Sequence, residues 1–291
     1  MPAYVLLTAA RNEELHIEKT LESVLSQTIR PVRWVIVSDG STDRTDEIVR
    51  RYAERFPNVF PLRSESSDER NFGSKVRALE NGFDRTRDLQ YEYIGFLDAD
   101  VSFESDYFAR LFGKFESDSR LGIAGGVIHD RTETGFRRVF GTPTSVAGAV
   151  QTFRRSCYEA IGGYRPIPTG GIDTVAEVSA RMHGWKTLCF PDLVVHHHRP
   201  TGSAVTGSLV RTRLRQGKSD YFLGYHPLFY LFREARRTRE RPYVVGSALR
   251  LYGYFSAFCS GRRPAATDDF VEYFRREQLR RLFTLNVSGT R

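Results

Sequence analysis

Two aspartates one residue apart, Asp98 and Asp100, follow directly on the apolar run Tyr93-Ile94-Gly95-Phe96-Leu97. Such a run reads as a parallel strand buried on both faces. Its C-terminal end is where open α/β sheets hold their ligands. Two like charges side by side in that place are costly unless a cation shares them, and a divalent metal holding a diphosphate fits the need. A bare Asp-x-Asp also suits a solvated turn or a helix cap, so the flanking chain has to decide.

Other residues could do chemistry. His196, His197 and His198 stand in a row, but strand alternation sends neighbours to opposite faces, so at most two of them share a site. Cys157, Cys189 and Cys259 are an odd number without metal-ligand spacing, which predicts free thiols.

The elements that must position these groups alternate. Tyr4 to Ala9 reads as a strand, followed by a helix from about Asn12-Glu13-Glu14 with Leu15, Ile17, Leu21, Val24 and Leu25 on one face. Arg33 to Val37 is a second strand, and Asp43 suits the cap of a helix from Arg44 to Phe56. Val59 to Leu62 is a third strand, with a helix near Gly73 to Phe83, and the Asp98 strand is the fourth. This rhythm predicts a parallel, doubly wound sheet. Beyond it come a helix near 106–115, strands at 123–128 and 147–153, a short helix at 155–162, a helix from Asp173 to His183, and strands at 185–190 and 194–198. The second half therefore reads as the mixed part of the sheet.

A chain of 291 residues, 40% apolar and 27% charged, can bury a full core and has no low-complexity segment. The start, Met1-Pro2-Ala3 and then Tyr4 to Leu7, lacks a basic region and carries too short an apolar run for a signal peptide. The net charge of +8 is uneven: residues 199–291 hold 18 Lys and Arg against 7 Asp and Glu, while the rest hold 25 against 28. A basic tail on a near-neutral body points to an anionic surface, either membrane or nucleic acid, or else to an Arg-rich solvated helical face.

Several motifs recur in a fixed order: Thr8-Ala9-Ala10-Arg11-Asn12-Glu13-Glu14, Ser38-Asp39-Gly40-Ser41-Thr42-Asp43, Gly73 to Gly82, Asp98-Ala99-Asp100, Gly162-Gly163-Tyr164, and Asp173 through Arg181 to Gly184. With these the chain resembles the family-2 glycosyltransferases of the GT-A fold over roughly residues 4–200. The resemblance implies a GT-A domain at 1–200 and a helical, basic region at 201–291. It implies a nucleoside-diphosphate sugar as donor, UDP favoured, with Mn²⁺ or Mg²⁺ as cofactor, and transfer with inversion to a glycan or lipid-linked hydroxyl.

The same resemblance gives roles to residues. Thr8, Ala10 and Glu13 would lie near base and ribose, and Asp39 on the base edge, where a carboxylate accepts a ring N–H; otherwise Asp39 is a turn former. Asp98 would face the ribose or a metal-bound water, Asp100 would bind the metal, and His197, six residues after Pro191, would be a further ligand. Lys75 and Arg77, after the Arg70-Asn71 loop, would lie near the diphosphate or face solvent. Asp173 would be the general base, with Glu177 its nearest substitute and helix capping its other role.

There are departures. Ala9, Ala10 and Arg11 replace the usual Pro and Tyr, Ile172 replaces the first acid of the pair ending at Asp173, and Gln216 is followed by Gly217, Lys218 and Ser219 rather than the Gln-x-x-Arg-Trp of polymerising members. The last implies addition of a single sugar.

The tail reads as helices at about 204–222, 226–240, 242–260 and 268–285. The apolar stretch Tyr243 to Cys259 is interrupted by Arg250, which argues against a span. Flanked by Arg236, Arg237, Arg239, Arg241, Arg262 and Arg263, it suits a membrane interface, a helix packed on the body, or a contact with a second copy. The expected setting is the cytoplasmic face of a membrane, in polysaccharide or glycolipid assembly, with no nucleic-acid partner. Two rivals differ in class: a sugar-nucleotidyltransferase, which wants a Gly-rich phosphate loop that Thr8 to Glu14 lacks, and a non-catalytic basic binding module.

Overall fold

The computed structural model of the chain describes residues 2–64, 72–139, 141–167, 170–199, 209–238 and 243–287. Contacts divide it into two compact units, Met1–Pro168 with Ile172–Thr201, and Thr169–Gly171 with Gly202–Arg291. The Arg70-Asn71 loop, Arg239, Arg241 and the first residues of the helix expected from 204 lie outside the described residues.

Three of the first four apolar runs of the first unit become strands because both their faces are covered, while the run at Val59–Ser64, at the sheet's edge, is largely exposed. β1 (Tyr4–Ala10), β2 (Arg33–Asp39), β3 (Val59–Ser64) and β4 (Tyr93–Asp98) pair in parallel, in the order β3-β2-β1-β4. One face carries Tyr4, Leu6, Trp34, Ile36 and Leu97 against α1 (Ile17–Leu25), α2 (Thr45–Arg55) and α4 (Tyr107–Ser117). The other carries Val5, Leu7, Val35, Val37 and Phe96 against α3 (Phe72–Asp84), α5 (Arg155–Ala160) and α6 (Ile172–Met182). Two cores explain why the strands read as continuous apolar runs rather than alternating ones.

The helix expected from Asn12 begins only at Ile17. Asn12 has φ 57°, a left-handed conformation, and its Oδ1 accepts the Thr42 N–H at 2.8 Å. The Glu13 N–H donates to Thr45 Oγ1 at 2.7 Å, and Asp43 accepts the N–H groups of Glu14 and Thr45 at 3.0 Å each. The turn after β1 is thus tied to the turn after β2, and its polar groups are spent on that tie instead of on a helix.

β4 continues the sheet through β8 (Val150–Arg154), β6 (Leu121–Thr132), β9 (Lys186–His197) and β5 (Val101–Phe103), with β7 (Gly135–Arg138) beside β6. The pairs β4–β8, β8–β6 and β9–β5 are antiparallel and β6–β9 is parallel. The two strand pieces expected at 185–198 are one strand interrupted by a bulge, where Gly126 and Val127 pair with Phe190 and Val194 and leave Pro191 to Leu193 out of register. β5 follows β4 after only two residues yet lies four strands away along the sheet. A flat sheet would separate them by ~19 Å, whereas the link reaches at most ~11 Å, so the sheet curls back on itself.

The second unit is helical: α7 (Leu209–Phe222), α8 (Pro227–Arg237), α9 (Tyr243–Cys259) and α10 (Asp268–Val287). Gly217 and Gly253 let α7 and α9 meet backbone to backbone, at positions where a Cβ would collide with the carbonyls of Arg250 and Leu214. The Arg250 that interrupts the apolar stretch is buried, its Nε 2.6 Å from Glu234 Oε2. Tyr230 and Tyr254 stack beside that pair at 4.2 Å. Among the described residues no helix is long and apolar enough to cross a membrane.

Candidate active site

The curl assembles the site. β4 delivers Asp98, and pairing of Val101 with His197 brings the end of β9 beside Asp100. The His198 N–H donates to the Asp100 carbonyl at 2.8 Å, closing the junction. Asp98, Asp100 and His197 can each offer one ligand atom within 4.8 Å of the others. Two carboxylate oxygens and an imidazole nitrogen suit a divalent ion such as Mn²⁺ or Mg²⁺.

Alternation sorts the three histidines as expected. His196 and His198 turn to Phe136, with ring centroids at 4.4 and 5.7 Å, and only His197 faces the acids. His197 Nε2 is 3.3 Å from Asp100 Oδ1, and Nδ1 is 2.8 Å from Asp130 Oδ1. Burial disfavours the imidazolium, but hydrogen bonds to Asp100 and Asp130 outweigh it and push His197 up to about 10. Burial likewise opposes ionisation of Asp100, yet His197 and Arg199 pull it down to about 2. Asp130, on β6, carries no local signal in the sequence, because its partner is 67 residues away.

Three more charged groups converge. Lys75 Nζ lies 2.5 Å from Asp98 Oδ1, Arg199 Nε lies 3.0 Å from Asp100 Oδ2, and Arg199 Nη2 also bonds Glu13 Oε1. Burial, with Asp100 and Asp98 nearby, raises Glu13 despite its bond to Arg199. Glu13 therefore stands with the acidic pair. Arg199 follows His197 by two residues, and that proximity is its one signal in the sequence.

The remaining expected residues divide. Thr8 and Ala10 point into the core with Tyr4 and Leu6, and Thr8 Oγ1 accepts the Trp34 indole N–H at 3.0 Å. Their side chains are buried, so a place near base and ribose would fall to their backbone. Asp39 is buried at the end of β2, beside Gly40 at φ 65°. Lys75 rather than Arg77 reaches the acids, because residues two apart on a helix face different ways and Arg77 is on the exposed side of α3. Asp173 lies in the first turn of α6, its Oδ1 accepting the Thr174 N–H at 2.8 Å. Gly148 lies so near that a Cβ there would sit 3.2 Å from Asp173 Oδ2. Glu177 is buried, accepts the N–H of Val146, and lies 3.4 Å from Gln151 Nε2. Its surroundings make it a brace for the 146–151 stretch.

Comparison with known proteins agrees with this fold. The model of glycosyl transferase family 2 matches residues 6–166. The uncharacterized glycosyltransferase EpsJ of Bacillus subtilis is 28% identical over 155 residues, 52% of this chain and 41% of that protein. The poly-beta-1,6-N-acetyl-D-glucosamine synthase of Staphylococcus aureus (strain COL) is 27% identical over 174 residues, 59% and 37% of the two chains. The chain thus spans well under half of the curated relatives it matches. Among solved structures, a Pyrobaculum calidifontis mannosyltransferase in complex with GDP-Man and Mn²⁺ superposes with TM-score 0.57 at 19% identity, covering 100% of this chain and 88% of that one. S. aureus TarS 1-349 with UDP-GlcNAc gives TM-score 0.56 at 12% identity, covering 89% and 73%.

Proposed function

Since the chain belongs to glycosyl transferase family 2, we propose that it moves a single sugar from a nucleoside-diphosphate donor to a hydroxyl, with inversion, in cell-surface polysaccharide or glycolipid synthesis. The observation that carries the reading is the convergence of Asp98, Asp100 and His197 at the ends of β4 and β9. These three residues would hold Mn²⁺ or Mg²⁺, whose charge would offset that of the departing diphosphate. Asp39, buried at the end of β2, would receive the base. Asp173 would take the acceptor hydroxyl's proton from the side opposite the leaving group. Its place beside Gly148, where no side chain intervenes, supports that role.

UDP is the favoured nucleotide, in keeping with the UDP-GlcNAc complex of TarS; GDP, in keeping with the GDP-Man complex of the Pyrobaculum calidifontis mannosyltransferase, and dTDP are the alternatives. The polysaccharide setting is supported by the S. aureus synthase among the relatives. A peripheral contact with the cytoplasmic membrane face is part of the reading. α8 exposes Leu228, Leu231 and Phe232, and α9 exposes Val244, Val245 and Tyr252, with the exposed Arg236, Arg262 and Arg263 near their ends. Apolar side chains backed by arginines suit an anionic bilayer surface. The deciding experiment is a thermal-shift panel of UDP, GDP and dTDP with and without Mn²⁺. One nucleotide should raise the melting temperature only with the metal, and no response to any of them would sink the proposal.

A further inference from the structure

Each acid of the Asp-x-Asp pair is already neutralised by a cation of the chain itself. Lys75 Nζ is 2.5 Å from Asp98 Oδ1, and Arg199 Nε is 3.0 Å from Asp100 Oδ2. An ion bound by Asp98, Asp100 and His197 would draw on the same two carboxylates, so ion and side chains compete for their charge. Arg199 differs from Lys75 in bridging two acids, because its Nη2 bonds Glu13. It also lies beyond the last residue of β9, and its side chain is 22% exposed.

We infer that Arg199 is an exchange cation and a diphosphate ligand. Its guanidinium neutralises Asp100 until a divalent ion arrives, then swings from Asp100 to the phosphate oxygens of the donor, pivoting on its bond to Glu13. A planar fork of N–H donors suits this double use, since it matches carboxylate and phosphate alike. Glu13 keeps the guanidinium beside the cleft during the exchange, and its buried Oε2, which has no hydrogen-bond partner among the described residues, leaves the acid room to take up a second N–H. The consequence is thermodynamic coupling. The ion alone must displace an arginine with nowhere better to go, whereas ion and diphosphate together give every charge a partner, so each tightens the binding of the other.

The inference rests on the metal and donor reading above, and the test separates the two. Mn²⁺ binding is measured without nucleotide by the paramagnetic resonance of free Mn²⁺, and UDP or GDP binding is measured calorimetrically at fixed Mn²⁺, for the wild type, Arg199→Gln and Arg199→Lys. In Arg199→Gln, Mn²⁺ alone should bind about tenfold tighter and the diphosphate about tenfold more weakly, each the effect of one charge-assisted contact. Arg199→Lys retains the charge without the fork, so its Mn²⁺ affinity should stay near wild type while its diphosphate affinity falls between the other two. If Arg199→Gln does not fold, the Arg199→Lys pattern decides alone. Affinities that are unchanged, or that weaken together in both arms, overturn the exchange and leave Arg199 a structural brace. A wild type that binds neither Mn²⁺ nor any nucleotide overturns the metal reading itself, and this inference with it.

Discussion

His197 is held between two carboxylates, its Nδ1 2.8 Å from Asp130 and its Nε2 3.3 Å from Asp100. The Asp130 contact fixes the ring orientation and the tautomer that aims Nε2 at the acidic pair. Asp130→Asn should therefore weaken Mn²⁺ binding by about tenfold to a hundredfold without altering the far-ultraviolet dichroism. Direct titration with Mn²⁺ checks this. Unaltered affinity would show that Asp130 is only a neighbour of the histidine.

Asp173 and Glu177 share the α6 helix but have different surroundings. Asp173 is partly exposed beside Gly148, whereas Glu177 is buried under the 146–151 stretch. Asp173→Asn should keep donor affinity and lose at least about a hundredfold in turnover, as expected when a general base is removed. Steady-state transfer kinetics beside donor calorimetry give the split. Normal turnover in Asp173→Asn with a dead Glu177→Gln would move the base to Glu177.

Burial pushes Glu177 up to about 8, helped by Asp173 and opposed by the Val146 N–H and Arg181. The folded state therefore holds a proton between roughly pH 4.5 and 8 that the unfolded state has already lost, and stability falls as pH rises through that window. Glu177→Gln keeps an acceptor for Val146 and cannot ionise, so it should flatten the curve and add about 3 to 5 kcal/mol at pH 8 and above. Calorimetric melting from pH 5 to 9 tests the sign. Parallel curves for both proteins would mean that Glu177 is ionised throughout, held so by Arg181 4.0 Å away.

If α8 and α9 meet a membrane, the protein should pellet with vesicles of acidic phospholipid and be partly released by high salt, because the arginines act through a screened field. Replacing the exposed Leu231 and Phe232 together by Gln removes two apolar anchors and should lower the partitioning by at least about tenfold. Equal indifference to acidic and neutral vesicles would assign those side chains to another protein surface, such as a second copy of the chain.

β1, β2 and β4 were legible because burial on both faces leaves an apolar run that needs no context, whereas β3, an exposed edge strand, was legible by its place in the strand–helix rhythm. The Asp-x-Asp pair was legible because a strand's end is a local rule; alternation limited the three histidines to two at most, and the family resemblance singled out His197. β5 is three residues long and β7 four, too short to show a period. β9 passes through Pro191 and Asp192, which read as a break because a bulge can be recognised only from the partner strand. The helix expected at Asn12 failed for a similar reason: its polar groups are used by a turn 30 residues on. Asp130 and Lys75 reach their partners across 67 and 23 residues, so composition and spacing could not choose Lys75 over Arg77.

The junction between β5 and β9 also sets a timetable for synthesis. The acids at Asp98 and Asp100 leave the ribosome about a hundred residues before His197 and Arg199, while the four parallel strands need nothing beyond Asp98 to pair. A nascent chain thus carries these acids without His197 beside them, since contacts of such long sequence separation close last. On the proposed reading, the set of side chains that would grip an ion is complete only when β9 docks, so an unfinished chain would have little with which to sequester one.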